Sequence, residues 1–377
     1  MAPDNTSENT PGAAILHHLA EKGWTQLDLA QMLDRPVQAI NEIVKGKKSI
    51  TPETAVELAT AFKTTRDYWL NLESQYRLSL ITSADEEAIM RRVRLFEIAP
   101  VKEMQRRGWI RATTTLEELE RELCRFFGVE NLGQEPQISV ATKRPISTDP
   151  LTAAQRAWCF RARELAGAVH AEKFRPELLL HCKERLRQLA AYPDETRNVA
   201  TVLAGFGIRF VVVETMSGTG SKIDGAAFWL APDKPVIAMS LRFDRIDAFW
   251  FTLFHECSHI ENGDASVDSE LVGDAAMPTV AKPDIERRAD EDAANILIPA
   301  DKLQSFIIRV GPLYSQARIN QFAHRMKIHP GIIVGQLHHR GEVKWDAHRK
   351  VLAKVRSIVT EVALTDGYGK AVSVDLH

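Results

Sequence analysis

The segment Phe254-His255-Glu256-Cys257-Ser258-His259 sets two imidazoles four residues apart with a carboxylate between them. On a helix that spacing puts His255 and His259 on one face, where both can bind a single ion. Neutral imidazoles suit Zn²⁺, and Glu256, one step round the helix, is placed to take a proton from a metal-activated water. The preceding run Phe249-Trp250-Phe251-Thr252-Leu253 is apolar enough to bury the helix and keep the site dry. Dryness strengthens every charge interaction at an ion. The chemistry expected here is hydrolysis, with a peptide bond as the target.

Catalytic zinc needs a third protein ligand and one open position. The stretch Glu286 to Pro299 reads as a second helix, with Ala289, Ala293, Ile296 and Leu297 on one face and Pro299 closing it. Glu286 lies 27 residues after His259 and is the expected third ligand. Asp290, one turn further on, could orient a ligand imidazole through its other ring nitrogen. A solvated acidic face is the alternative reading for Glu286 and Asp290. His338 and His339 follow an apolar stretch in an expected turn. His339 is the candidate oxyanion stabiliser, with a plain surface histidine as the alternative.

Three short apolar runs, Phe210 to Val213, Ala226 to Leu230 and Val236 to Ser240, predict a small sheet packed on the His255 helix, with Gly218-Thr219-Gly220 as a turn. The stretch from Gly207 to Pro299 resembles the ImmA/IrrE family of metallopeptidases. The resemblance rests on Gly207-Ile208-Arg209-Phe210-Val211-Val212-Val213, Ile223-Asp224-Gly225-Ala226-Ala227, Ser240-Leu241-Arg242, the H-E-x-x-H helix and the E-x-x-A-D helix ending in Leu297-Ile298-Pro299. The segment Pro330 to Gly341 is similar to the C-terminal part of the branch fused to helix-turn-helix modules. The resemblance implies an α+β zincin-like domain in which His255, His259 and Glu286 hold Zn²⁺ and Glu256 is the catalytic base. Asp292 departs from that family's pattern, which carries an aromatic and an alanine after A-D-x, and altered packing near the metal is expected there.

The N-terminal part has a different texture. Ile15, Leu16 and Leu19 form one apolar set ending at Lys22-Gly23, and Thr25 is placed to cap Gln26 to Leu33. Asp34-Arg35 turns the chain, and Pro36 is expected at the first position of a helix reaching Val44. That helix should bury Val37, Ile40, Ile43 and Val44 and expose Gln38, Asn41 and Glu42. Helices over Pro52 to Phe62 and Thr65 to Leu72 follow. The motifs Trp24-Thr25-Gln26, Leu29-Ala30, Ile40 to Gly46, Ile50 to Ala55 and Tyr68-Trp69-Leu70-Asn71-Leu72 resemble an Xre-type helix-turn-helix, and within that class HigA antitoxins. The resemblance implies that the Pro36 helix enters the major groove of a double-stranded operator. Gln38 and Asn41 then suit base edges, and Lys45, Lys47 and Lys48 suit phosphates. From Gly12 to Leu80 there are eight Lys and Arg against eight Asp and Glu. So neutral a module gains little from counterion release, and a homodimer on a palindromic site is expected to supply the remaining affinity. A HigB-like toxin is a further expected partner.

The chain has 377 residues, 45% hydrophobic and 26% charged, with formal net charge −2, so its composition is that of a globular protein with no overall pull towards nucleic acid or membrane. Cys124, Cys159, Cys182 and Cys257 show no C-x-x-C pair, which argues against a disulfide framework and a thiolate zinc knuckle. No apolar run approaches the roughly 20 residues that span a bilayer. Met1 to Thr10 lacks the apolar core of a secretion signal, so a cytoplasmic location is expected.

The expected organisation is multidomain: a tail over 1–10, an all-α helix-turn-helix domain over 11–78, a helical middle region over 79–195, the metallopeptidase domain over 196–345, and a C-terminal helix and tail over 346–377. In the middle region helices are expected over Glu86 to Glu97, Val101 to Arg107, Leu116 to Phe127, Ala153 to His170 and Pro176 to Ala191. Gln134 to Pro150, with three prolines, is the expected linker. The basic run Arg91-Arg92-Val93-Arg94 reads as a solvated helix face. A helix over Ala347 to Leu364 is expected near the end. The function expected is a DNA-binding transcriptional regulator carrying a zinc endopeptidase that acts on a protein substrate. The alternative is a HigA-like repressor whose metal site is structural or sensing, without turnover.

Overall fold

Four threonines start four of the first five helices. Thr10, Thr25, Thr51 and Thr65 each accept a hydrogen bond from a backbone N–H of the helix they precede: α1 (Pro11–Lys22), α2 (Gln26–Met32), α4 (Pro52–Phe62) and α5 (Arg66–Ser79). Such caps satisfy donors that the first helical turn leaves over. At α2 the cap is reciprocal, because Asp28 also accepts from the Thr25 N–H. Between α2 and α4 lies α3 (Val37–Val44), and α6 (Ser83–Ile98) follows α5.

The computed structural model describes residues 10–81, 83–133, 152–216, 223–263, 266–268 and 284–366. The expected linker from 134 to 150, the turn at 218–220 and most of the expected N-terminal tail lie outside the described residues. The chain divides into two units, Met1–Val93 and Arg94–His377.

In the first unit Ile15, Leu19, Leu29, Ile40, Ile43, Leu58 and Trp69 are buried together. Two expected core residues are instead exposed, Leu16 and Val37, each 45% accessible. Leu16 sits beside Ile15 on a helix one side of which already faces the core, and Val37 is the first residue of α3. Pro36 is the cap of α3 and not its first residue. Helix α5 runs two turns past Leu72, to Ser79.

The second unit is built on a five-stranded mixed sheet of order β4-β2-β3-β1-β5. Its strands are β1 (Arg209–Val212), β2 (Gly225–Trp229), β3 (Pro235–Met239), β4 (Ser266–Asp268) and β5 (Leu364–Thr365). β1 runs parallel to β3 and β5, and β2 runs antiparallel to β3 and β4. Alternate residues serve opposite faces, as the two-residue period of a strand requires. Phe210, Val212, Ala227, Ile237 and Met239 join the core of α12 (Ile246–Asn262). Val211, Val213, Ala226, Phe228, Val236 and Ala238 join the other core. That second core is covered by α7 (Val101–Arg106), α8 (Leu116–Phe127) and α9 (Ala153–Gly167). A sheet covered on both faces reads as continuous apolar runs, and the strand sequences do. Residues 94–133 and 152–167 therefore share a core with the sheet and do not stand as a layer of their own.

The remaining helices complete the α12 side: α10 (Leu179–Leu189), α11 (Val199–Gly205), α13 (Asp284–Leu297), α14 (Ala300–Val310), α15 (Gln316–Met326) and α16 (Pro330–His339). His338 and His339 thus end a helix and do not lie in a turn. The helix expected over 347–364 is broken into a 3₁₀ turn at Arg349–Val351, a single turn α17 (Arg356–Val359), and β5. Asp244 accepts from the Val355 and Arg356 backbone N–H groups at 2.9 and 2.7 Å, and the Ile246 N–H donates to the Ala353 carbonyl. Those bonds take the backbone groups that a continuous helix would use. Arg107, 5% accessible, ties the far end of β1 by donating to the Glu214 and Thr215 carbonyls and to Asp366.

Candidate metal centre and nucleic-acid interface

Helix α12 presents His255, Glu256 and His259 at zero accessibility. The local sequence explains the burial: Trp250, Leu253, Phe254 and Cys257 belong to the core that surrounds this helix. The two imidazoles approach each other Nε2 to Nε2 at 2.9 Å. Glu286 on α13 faces both, with carboxylate oxygens 3.3 Å from His255 Nε2 and 3.6 Å from His259 Nε2. Each of the three residues offers an atom within 4.8 Å of the others, so the donor set His, His, Glu has the chemistry and spacing of one divalent-cation site.

Asp290 accepts from His255 Nδ1 at 3.0 Å. That bond puts the proton on Nδ1 and leaves Nε2 as a lone-pair donor aimed at the cluster. Burial alone would raise the Glu286 carboxyl, but its contacts with His255 and His259 hold it down at about 2. It is therefore ionised, as a ligand must be.

Glu256 lies against the start of β2. A Cβ at Gly225 would meet Glu256 Oε1 at 2.6 Å and Thr252 Cγ2 at 2.9 Å. The absent side chain at Gly225 is what gives the carboxylate room. Asp292, flagged in the sequence for its effect on packing, accepts from the buried Ser258 hydroxyl at 2.8 Å. It thereby ties α13 to α12 beside the cluster. Cys257 points into the core, where burial pushes its thiol well above the usual range, so it adds no ligand.

His339, the expected oxyanion stabiliser, ends α16. It is exposed and stacks on Phe251 with ring centroids 6.1 Å apart, while Phe251 lies 6.5 Å from His255. Together with Asp290, these two rings line a cavity of about 280 Å³ bordered by α12, α13 and α16. Asp290, which bonds His255 Nδ1, is therefore shared by the cavity and the cluster. Neither the cavity nor Phe251 was signalled by the sequence, because the spacing of residues on three separate helices carries no trace of a gap between them.

In the first unit, α2 and α3 are joined by a tight turn in which Asp34 takes a positive φ of 49°. The Arg35 Nε packs 2.7 Å from Glu57 on α4, which fixes the turn against the next helix. Gln38, Lys45, Lys47 and Lys48 are exposed, and Asn41 is half-buried. The Gln38 amide donates to Glu42 at 3.3 Å along the same helix, so reaching a base would require it to exchange that partner. Val37, misread as core, adds an exposed apolar group at the front of α3, of the kind that contacts a thymine methyl.

The helix-turn-helix family profile matches residues 19–69, from the end of α1 into α5. Virulence-associated protein A of Dichelobacter nodosus is 38% identical over 73 residues, which are 19% of this chain and 72% of that protein. This chain belongs to the helix-turn-helix family of DNA-binding transcriptional regulators. An uncharacterized HTH-type transcriptional regulator of Haemophilus influenzae is 45% identical over 51 residues, 14% of this chain and 48% of its own length. The HTH-type regulator YbaQ of Escherichia coli K12 is 32% identical over 66 residues, 17% of this chain and 58% of its own length. All three likenesses are shorter than a quarter of this helix-turn-helix protein. Among its described residues no helix is long and apolar enough to cross a membrane.

Proposed function

We propose that this helix-turn-helix regulator carries a zinc-dependent endopeptidase in its second unit, similar to the ImmA/IrrE metallopeptidases. The observation that carries the reading is the convergence of His255, His259 and Glu286 from two helices, with Asp290 fixing the His255 tautomer. His255, His259 and Glu286 would hold Zn²⁺, which would supply Lewis acidity for the scissile carbonyl and an attacking water. Glu256 takes the proton of that water on a carboxylate oxygen and delivers it to the leaving amine. Burial of the cluster keeps bulk water away from the charges that develop. The substrate is a protein, and the first unit binds a double-stranded DNA operator as a homodimer in the cytoplasm, with a HigB-like toxin as a further partner.

A second reading is favoured by the likeness to relatives being confined to the helix-turn-helix: a HigA-like repressor whose metal is structural or sensing. The two part at Glu256. Elemental analysis of the wild type should find about one zinc per chain, lost in both His255→Ala and Glu286→Ala. Glu256→Gln should keep the zinc and abolish proteolysis of a trapped substrate. A folded wild type without bound metal would end both metal readings, and an unaltered in vivo phenotype for Glu256→Gln would leave only the structural one.

A further inference from the structure

The cavity between α12, α13 and α16 is held open by its own walls. Each helix lends it one face: Ala248 and Phe251 on α12, Ala294 and Leu297 on α13, Ile332 and Gly335 on α16, each pair three residues apart. Ala248, Ala294 and Gly335 are small, which is what leaves the space. The helices cannot close over it. At Gly335 the backbone of α16 already rests on Asp247 of α12, where an added Cβ would meet the Asp247 Cβ at 2.5 Å. The Gln336 amide donates to the Ala294 carbonyl at 3.1 Å and sets the spacing of α16 from α13. Asp247 is held by Arg245, and Asp290 by His255. A pocket whose polar wall groups already hold one another is pre-formed for an apolar guest. An apolar cavity of about 150 Å³ takes up benzene. This one, at about 280 Å³, has room for an aromatic ring with a short chain attached. Two further lining residues, Glu291 and Arg340, are exposed, so a charge of each sign stands at the rim.

We propose that this cavity binds a free aromatic amino acid, its ring among Phe251, Leu297 and Ile332, its ammonium group on Glu291 and its carboxylate on Arg340. Opposite charges at the rim select a zwitterion over an amine or an acid alone. A ring packed on Phe251 adds edge or offset stacking to the area it buries. The site is coupled to the metal cluster because two of its walls flank His255. Asp290 bonds the imidazole Nδ1 at 3.0 Å, and the Phe251 ring lies 6.5 Å from the imidazole, centroid to centroid. A guest that fills the cavity holds both residues in place, and with them the tautomer that leaves Nε2 for the ion. Amino acid and ion therefore tighten each other's binding by the same factor. That coupling rests on the metal reading of His255, His259 and Glu286, whereas the cavity does not.

The test is calorimetric titration of the full-length chain with L-phenylalanine, which should bind with a dissociation constant below about 1 mM. Phenethylamine and 3-phenylpropionate, which each lack one charge, should bind about tenfold more weakly. Arg340→Gln should weaken L-phenylalanine about tenfold and leave phenethylamine unchanged, and Glu291→Gln should likewise spare only 3-phenylpropionate. Both residues are exposed, so these variants should keep the wild-type melting temperature. Ala294→Leu, which fills the cavity, should abolish binding of all three compounds at unchanged circular dichroism. No saturable heat from any aromatic amino acid overturns the proposal, as does binding that both rim variants leave intact. N-acetyl-L-phenylalanine amide binding as tightly as L-phenylalanine would also overturn it, because the cavity would then take a side chain of a peptide. Chelator competition should show zinc held about five- to tenfold more tightly in saturating L-phenylalanine. Zinc affinity that L-phenylalanine leaves unchanged overturns the coupling. Failure of the metal reading looks different: no zinc bound with or without the amino acid, and L-phenylalanine binding intact.

Discussion

The two units handle polar chemistry in opposite ways. The first keeps it outside: Gln38, Lys45, Lys47 and Lys48 are exposed on a frame of five helices, α1 to α5, whose core is apolar. The second hides it, with His255, Glu256, Ser258 and His259 all at zero accessibility. An exposed side chain can be changed for function at little cost to the fold. A buried ionisable cluster costs several kcal/mol unless its members satisfy one another or a shared ion, so there function and stability are the same variable.

The comparison can be broken most forcefully in the first unit's core. Trp69 is fully buried, with its Nε1 donating to Thr64 at 2.8 Å. Trp69→Ala should cost about 3–5 kcal/mol and unfold the first unit. In calorimetry the second unit's transition should stay in place and the zinc content should hold. A common transition that moves for both would erase the distinction between the units. Asp290→Asn sharpens the contrast from the other side, since it should weaken metal binding roughly 10–100-fold by freeing the His255 tautomer. Chelator competition would read the loss, and operator affinity should not change. Smallest is Lys47→Ala, which should lower the slope of log affinity against log salt by about 0.9 per lysine removed. Metal content and melting temperature should stay at wild-type values, and a shift in either would tie the exposed chemistry to stability after all.

Legibility followed how local each signal is. The Thr25 cap and the H-E-x-x-H helix were readable because every residue involved lies within one turn of its partner. Glu286 could be put on a helix because that segment has its own periodicity, and α8 was read to its ends from the Leu116, Leu119, Leu123 and Phe127 spacing. The C-terminal segment misled for the same reason. Val355, Val359 and Ala363 are buried at helical spacing, yet Asp244, more than a hundred residues earlier, takes the backbone donors and limits the helix to one turn. Val37 and Leu16 misled because apolar character does not distinguish a core position from a surface reserved for a partner. The second cover of the sheet was invisible because α8 and α9 declare their apolar faces without declaring what they face.

The strand β5 joins the sheet in parallel with β1, Val211 opposite Leu364 and Val212 opposite Thr365, and the Arg107–Asp366 pair spans 259 positions of sequence. During synthesis on the ribosome, β1 therefore waits with an open edge until more than 150 further residues have emerged. A stalled or truncated nascent chain lacking β5 would leave that edge as a template for another strand, so the arrival of β5 is also what covers β1.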